Sequence, residues 1–282
     1  MRKMTVKDIQ DVNLGILRHF DAFCRSRGLR YFLSDGTLLG AVRHHGFIPW
    51  DDDADVCMPR PDYNRFIREY RDTPKYKLCT PERRNSFMVY ARLSEMEETK
   101  FKIKAPWTFE DVGVSLDVLP LDGCSGDRVQ FEDCARRLLD FRDQIVDCRR
   151  EMRKLWMPWP SRRNPFRFAK ELVQNYDRYR EFARCRSRAR RLLRDEGKLR
   201  QSIDYATSEF CTTTLQAVDY AKKLWRRDWF DESINAEFCG FEFPIPVGYD
   251  GRLKAEYGDY MTPPPEAERA SHAGWQKLFW RD

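Results

Sequence analysis

The sequence of 282 residues predicts an α+β fold, and three observations lead to this class. Short apolar runs, such as residues 31–33, 56–58 and 113–121, indicate buried strands. The N-terminal segment instead repeats apolar side chains at helical spacing: Ile9, Val12, Ile16, Leu17, Phe20 and Phe23. Two arginine-rich stretches, residues 134–156 and 166–197, also have a helical pattern and are separated by a proline-rich break.

Residues 31–47, YFLSDGTLLGAVRHHGF, predict a strand, a glycine-containing turn and a helix. Such a turn brings backbone N–H groups and the N-terminus of the helix close to a bound phosphate. Gly36, Thr37 and Arg43 are therefore candidate phosphate ligands. The simpler interpretation is that Gly36 is needed only for its backbone angles.

Two adjacent histidines, His44 and His45, end this helix and are candidates for proton transfer. Neighbouring residues on a helix point about 100° apart. We therefore expect at most one of the two to face a site and the other to lie on the surface.

Residues 49–55, PWDDDAD, place four carboxylates in five positions. Unit charges 4 Å apart repel by roughly 4 kcal/mol near a protein surface, so the segment requires water or a cation. In a strand, Asp53 and Asp55 project from the same face, and paired oxygen ligands suit Mg²⁺ or Mn²⁺. A solvated acidic loop is the alternative. Asp51 and Asp52 either support such a metal site or are simply solvated.

Residues 113–123, GVSLDVLPLDG, supply the third segment of a possible metal site. Their apolar run predicts a largely buried strand that carries Asp117. Because a buried carboxylate is normally paired or metal-bound, Asp117 is a third metal ligand or the base that takes the proton of an attacking hydroxyl. Asp122, in Leu-Asp-Gly, is interpreted as a turn-forming residue.

These segments carry a resemblance to known proteins. The Gly-Thr turn, the Asp-x-Asp pair and the separate strand aspartate resemble the nucleotidyltransferase superfamily. More narrowly, YFLSDGTLLGAVRHHGFIPWDDDADV, LDVLPLDG and YGDYMTPPPEAERASH, which begin at residues 31, 116 and 257, resemble the LicD family, which includes the fukutins. The resemblance implies a nucleotidyltransferase-like mixed β-sheet core with flanking helices and a basic helical insertion.

The resemblance also implies a reaction. Members of the family transfer a phosphorylated alcohol, such as phosphocholine, from a CDP-alcohol such as CDP-choline. The acceptor is a sugar hydroxyl of a cell-surface glycan such as lipopolysaccharide or teichoic acid, or of its lipid-linked precursor, and CMP is released. One alternative is nucleotidyl transfer to a small alcohol or sugar with release of pyrophosphate. Another is an inactive scaffold that binds glycan or membrane.

Placed in this chemistry, the candidate residues divide into metal and phosphate ligands. Two Mg²⁺ or Mn²⁺ ions can clamp the attacking and leaving oxygens in phosphoryl transfer. Asp53 and Asp55 would hold one ion against the donor diphosphate, and Asp117 would bind the second beside the acceptor hydroxyl. The phosphate oxygens would be held by Gly36, Thr37 and Arg43.

The C-terminal segment predicts an edge strand, a turn at Gly248 and a short helix from Asp250 to Tyr257 that ends at Gly258. The family resemblance places part of the donor or acceptor pocket here, although a packed aromatic clasp is an equal alternative. The candidate pocket residues are Tyr257, Asp259 and Tyr260, together with Arg269 and His272, which lie one turn apart on a possible final helix.

Positive charge is concentrated in one region. Residues 135–200 contain 21 Lys and Arg against nine Asp and Glu, a formal charge of +12, which leaves −6 on the rest of the chain. A solvated helical face is one interpretation. Attraction to an anionic polymer or membrane surface is another, with WMPWPSRRNPF at residues 156–166 as an interfacial anchor. Nucleic-acid binding ranks last, because no recognisable module accompanies the arginines.

Three parts are predicted: a catalytic core at 1–124, a basic helical insertion at 125–230, and a segment at 231–282 that completes the active-site cleft. Nine cysteines without a C-x-x-C pair indicate reduced thiols and no structural zinc site. No apolar run approaches the ~20 residues of a membrane-spanning helix. The sequence therefore predicts a cytoplasmic protein, either free or peripheral on the inner face of the membrane.

Overall fold

The structure, a computed structural model, describes residues 2–101, 108, 111–156, 170–171, 173–213, 220–269 and 278–281. Helices pack against a mixed β-sheet, which confirms the predicted α+β class. The helices are α1 Val6–Arg27, α2 Asp35–His44, α3 Arg60–Glu69, α4 Arg128–Leu155, α5 Tyr176–Arg200, α6 Tyr220–Lys223 and α7 Tyr249–Tyr257. The strands are β1 Phe32–Leu33, β2 Asp55–Pro59, β3 Tyr76–Cys79, β4 Ala91–Glu95, β5 Thr99–Phe101, β6 Ser115–Cys124, β7 Phe210–Thr212, β8 Trp225–Arg226, β9 Ser233–Phe238, β10 Phe241–Pro246 and β11 Leu278–Trp280.

The main sheet has the order β1-β2-β6-β4-β3, and β7 and β8 extend it from the far end of β6. The pair β2–β6 is parallel, whereas the other neighbours in the sheet are antiparallel. The parallel register places Asp55 directly beside Asp117. Two small antiparallel pairs, β9–β10 and β5–β11, lie outside this sheet.

The predicted N-terminal amphipathic helix is confirmed as α1. It begins at a capping box in which Thr5 and Asp8 satisfy each other's backbone N–H groups, and it ends at Gly28, whose φ of 59° is left-handed. Its apolar stripe is buried in the core, where Phe20 meets Phe66 edge to face with ring centroids 5.1 Å apart. Each fully buried large apolar side chain contributes roughly 1.5–3 kcal/mol.

The two predicted basic helices are α4 and α5, which pack against each other through a narrow apolar seam. Ile145 and Met152 of α4 are buried against Ala189 and Leu193 of α5. The structure corrects the predicted end of the second helix, which continues past Gly197 to Arg200. It continues because the Arg200 side chain is drawn into the protein by buried carboxylates.

Asp122 corrects another prediction, because it is a strand residue and not a turn residue. It is 2% exposed within β6, where β7 pairs alongside and prolongs the strand. Its charge is neutralised by two arginines: Arg60 donates at 2.6 Å, and Arg200 lies at 3.6 Å. A buried carboxylate needs such partners, so the glycine that follows Asp122 did not indicate a turn.

The C-terminal elements follow the prediction closely. β10 is a strand of a two-stranded hairpin, and α7 ends at Gly258, whose φ of 66° is left-handed. The described part of the final segment contains a short 3-10 turn, Glu266–Glu268, while the predicted helix over 269–272 falls mainly outside the described residues.

The predicted membrane anchor also lies outside the described residues, apart from Trp156. Among the helices that the structure describes, none is long and apolar enough to cross a membrane. The division at residues 124 and 230 stays a prediction.

Candidate active site

Four parts of the chain meet around the aspartates: the start of α2, the acidic loop before β2, the parallel pair β2–β6 and the end of α7. The backbone N–H of Asp117 donates to the carbonyl oxygen of Ala54 at 3.0 Å, and Ala54 is fully buried. α1 holds the loop from behind. Gln10 donates its side-chain N–H to the Asp51 carbonyl at 2.7 Å, and Asn13 donates to the Asp52 carbonyl at 3.3 Å.

The acidic residues are crowded and partly desolvated. Burial raises the pKa of Asp51 to about 8, and the charges of Asp53 and Asp52 add to this effect. Burial also raises the pKa of Asp55 well above its ordinary value, with further contributions from Asp53 and Asp117. A cation at this point would relieve both the repulsion and the burial of charge.

Asp52 is only 1% exposed, so the interpretation that it is simply solvated is wrong. It faces a small cavity of about 30 Å³ that is also lined by Asp53, Arg92 and Asp117. Because the main chain of the loop is fixed by α1, the side chain of Asp52 turns inward toward this space. The alternative, that Asp52 supports a metal site, stays a prediction.

Asp117 has strong partners that the sequence did not predict. Arg92 of β4 contacts both of its carboxylate oxygens at 2.7 Å, and the hydroxyl of Tyr90 donates to it at 3.0 Å. Burial raises the pKa of Asp117 although the charge of Arg92 lowers it, and the charge of Asp117 in turn raises the pKa of Arg92 against the effect of burial. A carboxylate held by these partners fits either predicted role, metal ligand or base.

The turn before α2 fixes the position of the acidic loop. Thr37 is 3% exposed, and its Oγ1 accepts a hydrogen bond from the backbone N–H of Asp55 at 2.8 Å. A Cβ on Gly36 would lie 2.5 Å from Oδ2 of Asp51, so a larger residue here would displace the Asp51 carboxylate. Gly36 lines the cavity described next, whereas Thr37 lies behind it. Their predicted contacts with phosphate stay predictions.

Replacing Thr37 by Val should lower the free energy of unfolding by about 1–3 kcal/mol, because it leaves the N–H of Asp55 buried without an acceptor. Thr37→Ser keeps the oxygen and is the matched control. Thermal unfolding of the three proteins measures the difference. Equal stability of Thr37→Val and Thr37→Ser would show that this hydrogen bond does not hold the loop.

A cavity of about 480 Å³ opens in front of the aspartates. One side is acidic and the other is apolar and aromatic, a combination typical of a site for a polar ligand with an organic group. The predicted site residues that line it are Gly36, Arg43, Asp51, Asp53, Asp55, Tyr257, Asp259 and Tyr260; lining residues that were not predicted include Asp35, Leu39, Ile48 and Trp50. Tyr260 is also 8% exposed, so it packs and lines the cavity at once.

Two arginines lie at the aromatic side. Arg43 donates to the carbonyl of Tyr260 at 2.7 Å. Arg269 places its guanidinium 4.9 Å from the ring centroid of Trp50 and donates to the carbonyl of Pro264 at 2.9 Å. Burial lowers the pKa of Arg43, and the nearby charge of Arg269 contributes to this shift. Arg43 thus brings a positive charge to the cavity that the carboxylates line, and Arg269 lies beside it at Trp50.

The two histidines separate as expected. His45 is exposed at the end of α2 with a left-handed φ of 54°. His44 is half-buried, with its ring edge-on to Trp50 at 6.3 Å. His272 lies outside the described residues.

A buried ion network beneath α2 was missed by the sequence analysis. Asp35 has a positive φ of 45° and accepts from the Ser34 hydroxyl at 2.7 Å, while Arg252 and Lys223 lie 3.3 and 3.4 Å from its carboxylate. Burial raises the pKa of Asp35, but the charges of Arg252 and Lys223 outweigh it and hold this pKa below its ordinary value. The sequence analysis missed Asp35 because its place in the turn already accounted for it. It missed Arg252 because nothing in the sequence distinguishes this residue from the many other arginines.

Asp53 and Asp55 supply suitable oxygens for a divalent cation, and among the described residues neither forms an ion pair with a basic side chain. Within the same residues, no three His, Cys, Asp or Glu side chains are grouped so as to hold a metal ion by themselves. Mg²⁺ is usually bound by one or two carboxylates, water and substrate phosphates, and not by a complete protein cage. The donor set therefore fits an ion that a substrate phosphate helps to bind.

Comparisons with known proteins cover most of the chain. The profile of the LicD/FKTN/FKRP nucleotidyltransferase domain matches residues 28–189. The lipopolysaccharide cholinephosphotransferase LicD of Haemophilus influenzae is 28% identical over 300 residues, covering 96% of this chain and 97% of that protein. Uncharacterized proteins of Rickettsia typhi and Rickettsia prowazekii are 50% and 53% identical over 38 and 34 residues. These shorter matches cover 14% and 12% of this chain, and 12% and 13% of the respective proteins.

Proposed function

The chain belongs to the LicD/FKTN/FKRP nucleotidyltransferase family, and on this premise we propose that it is a metal-dependent phosphocholine transferase. Its donor is CDP-choline or a related CDP-alcohol, and its acceptor is a sugar hydroxyl of lipopolysaccharide. The observation that carries the proposal is the cavity of about 480 Å³, which is lined by Asp53 and Asp55, by Arg43 and by aromatic side chains. The full-length similarity to a lipopolysaccharide cholinephosphotransferase supports the choice of donor and acceptor.

In this reaction the acceptor hydroxyl oxygen bonds to the phosphorus that carries choline, and the bond from that phosphorus to the CMP oxygen breaks. The hydroxyl proton goes to a carboxylate, and Asp117 is suited to receive it because Arg92 and Tyr90 fix its position. Bound Mg²⁺ or Mn²⁺ would neutralise the charge of the leaving phosphate. Asp53 and Asp55 would hold that cation. Binding of a second ion is the alternative role of Asp117, in place of proton transfer.

The remaining residues bind and orient. Arg43 reaches the cavity as a fixed cation and would contact a donor phosphate oxygen. Gly36 brings the start of α2 against the acidic loop. The backbone there would approach the same phosphates. Tyr257, Asp259 and Tyr260 would line the organic part of the donor or acceptor, and Arg269 would leave or cover the Trp50 face when that part enters.

A thermal-shift series with Mg²⁺ tests the proposal. CDP-choline at 100 times its dissociation constant should stabilise the protein by about 2.7 kcal/mol, a rise in Tm of roughly 5–10 °C. CDP-ribitol, CDP-glycerol, CTP, ATP and CMP are compared under the same conditions. Omission of the metal should remove most of the shift.

Product analysis separates the two reactions that this fold could perform. Release of CMP together with a phosphocholine-modified glycan supports the proposal. Stabilisation by CTP alone, with release of pyrophosphate, would replace it by nucleotidyl transfer. If no nucleotide changes Tm, the transferase proposal fails.

A further inference from the structure

A second recess, a groove of about 850 Å³, lies between α5 and the segment 81–89. The side chains that α5 contributes recur every three or four residues, so they share one helix face: Ser187, Arg190, Arg194, Lys198 and Gln201. The opposite wall is formed by Pro81, Glu82, Arg84 and Val89. From residue 187 to residue 201 the helix rises about 21 Å, so the groove is long enough for several linked groups.

Some charges in the groove are already neutralised. Arg60 and Arg200 are bound to Asp122, and Arg200 is also paired with Glu196. Glu82 accepts the hydroxyl of a neighbouring threonine. Because these charges are paired, the net charge of the groove depends on its other side chains.

The remaining arginines have no such compensation. In the part of the chain that the structure describes, no carboxylate lies within ion-pair distance of Arg84, Arg190 or Arg194. Arg190 stacks over Phe87 at 4.9 Å and donates to the carbonyl oxygen of Arg84, whose φ of 59° is left-handed. Burial and the charges of Arg186 and Arg84 lower the pKa of Arg190 to about 10. The fold thus holds cations together that repel one another.

We propose that this groove binds the phosphorylated saccharide chain of the acceptor, with phosphate groups held by Arg84, Arg190 and Arg194. Guanidinium groups match phosphate through paired hydrogen bonds. The groove is one residue away from the reaction site along the chain: Val89 lines the groove, and the next residue, Tyr90, donates its hydroxyl to Asp117. An acceptor held here would extend toward the carboxylate that receives its proton. The inference rests on the proposed function for the identity of the acceptor.

The shape and lining favour a saccharide over other polyanions. A bilayer is flat, whereas these arginines line a recess between a helix and a loop. Single-stranded nucleic acid is normally held by stacking on aromatic rings, and the described lining of the groove contains no aromatic side chain. Arg190 covers the nearby Phe87.

The test measures binding without a donor, so its outcome does not depend on catalysis. The probe is the deacylated, phosphorylated core oligosaccharide of lipopolysaccharide, titrated by calorimetry at 0.15 M salt against the full-length protein. The triple variant Arg84→Gln, Arg190→Gln and Arg194→Gln should bind about 10-fold more weakly or worse, because three phosphate contacts are lost. The dephosphorylated oligosaccharide should bind as weakly to the wild type as the phosphorylated one does to the variant.

The control variant removes the same charge from three exposed arginines, two on α4 and one on α5: Arg128→Gln, Arg150→Gln and Arg184→Gln. These side chains are 74%, 64% and 60% exposed and pair with carboxylates of their own helix. It should bind the phosphorylated probe as the wild type does, and thermal unfolding verifies that both triple variants are folded.

Three results would overturn the inference. The groove variant could bind the oligosaccharide as tightly as the wild type, or phosphate removal could have no effect. Alternatively, a single-stranded oligonucleotide or phosphatidylglycerol vesicles could bind more tightly than the oligosaccharide and be lost in the same variant. If binding behaves as expected but no CDP-alcohol stabilises the protein, the inference about the groove is supported and the proposed transferase function is wrong.

Discussion

Asp55→Asn is expected to lower transfer by at least about 10³-fold and, at the same time, to stabilise the metal-free protein. The loss of activity follows because an amide binds a divalent cation more weakly than a carboxylate does. The bound cation would stabilise the charged transition state by several kcal/mol. The gain in stability follows because Asp55 has its pKa raised by burial and by Asp53 and Asp117. Its charged form therefore destabilises the folded state.

The stability of the metal-free protein should fall as the pH rises. A carboxyl with a raised pKa in the folded protein destabilises it as pH rises from the unfolded value toward the folded value. For Asp51 that window extends from 3.8 to about 8. Metal-free wild type should lose stability across this range, and Asp55→Asn should lose less.

Thermal unfolding in chelator from pH 5 to pH 8, with and without added Mg²⁺, measures both effects. Asp133→Asn is the control, since Asp133 is 59% exposed on α4. Near-normal turnover of Asp55→Asn with Mg²⁺ would show that the site has been placed wrongly. We expect Asp53→Asn to lose activity in the same way.

The second large effect concerns Arg252, a fully buried cation beneath the site. Arg252→Met should lower the free energy of unfolding by about 3 kcal/mol or more, because Asp35 and Glu256 then remain buried with less compensation. The guanidinium now lies 4.2 Å from the ring centroid of Trp225, donates to the Ser34 hydroxyl at 2.8 Å and lies 3.7 Å from Glu256.

Lys223 limits the damage, since it stays 3.4 Å from Asp35 and 2.8 Å from Glu256. The matched control is Lys254→Met on the same helix, an exposed side chain paired with Asp250 that should change stability by less than about 0.5 kcal/mol. Urea unfolding compares the two. Similar midpoints for both variants would mean that the network under α2 does not support the fold.

The sequence predicted the backbone of the site better than its side-chain contacts. The apolar runs around Asp55 and Asp117 were enough to predict two strands, and both carboxylates occupy adjacent strands. Their pairing partners depend on elements far away in the chain. Arg92 reaches Asp117 because β4 lies next to β6, an arrangement that no local pattern reports.

Some local sequence patterns were also compatible with more than one structure. Thr37 followed a turn that suits phosphate binding, yet its hydroxyl accepts from Asp55 because β1 and β2 are antiparallel neighbours. Asp122 preceded a glycine that favours a turn, but the pairing with β7 continued the strand. For Asp122 a tertiary contact overruled the local turn signal, and for Thr37 it added a structural role that the sequence did not indicate.

The ion network can form only late in the synthesis of the protein. Asp35 emerges early in synthesis, but Lys223 and Arg252, which neutralise it, and Tyr257, which closes the cavity, come from the last quarter of the chain. Contacts over such sequence separations form late, since a long loop must first close. A nascent chain that already contains all the candidate catalytic aspartates therefore cannot yet assemble the cavity. Activity should begin only once the C-terminal segment has left the ribosome and docked.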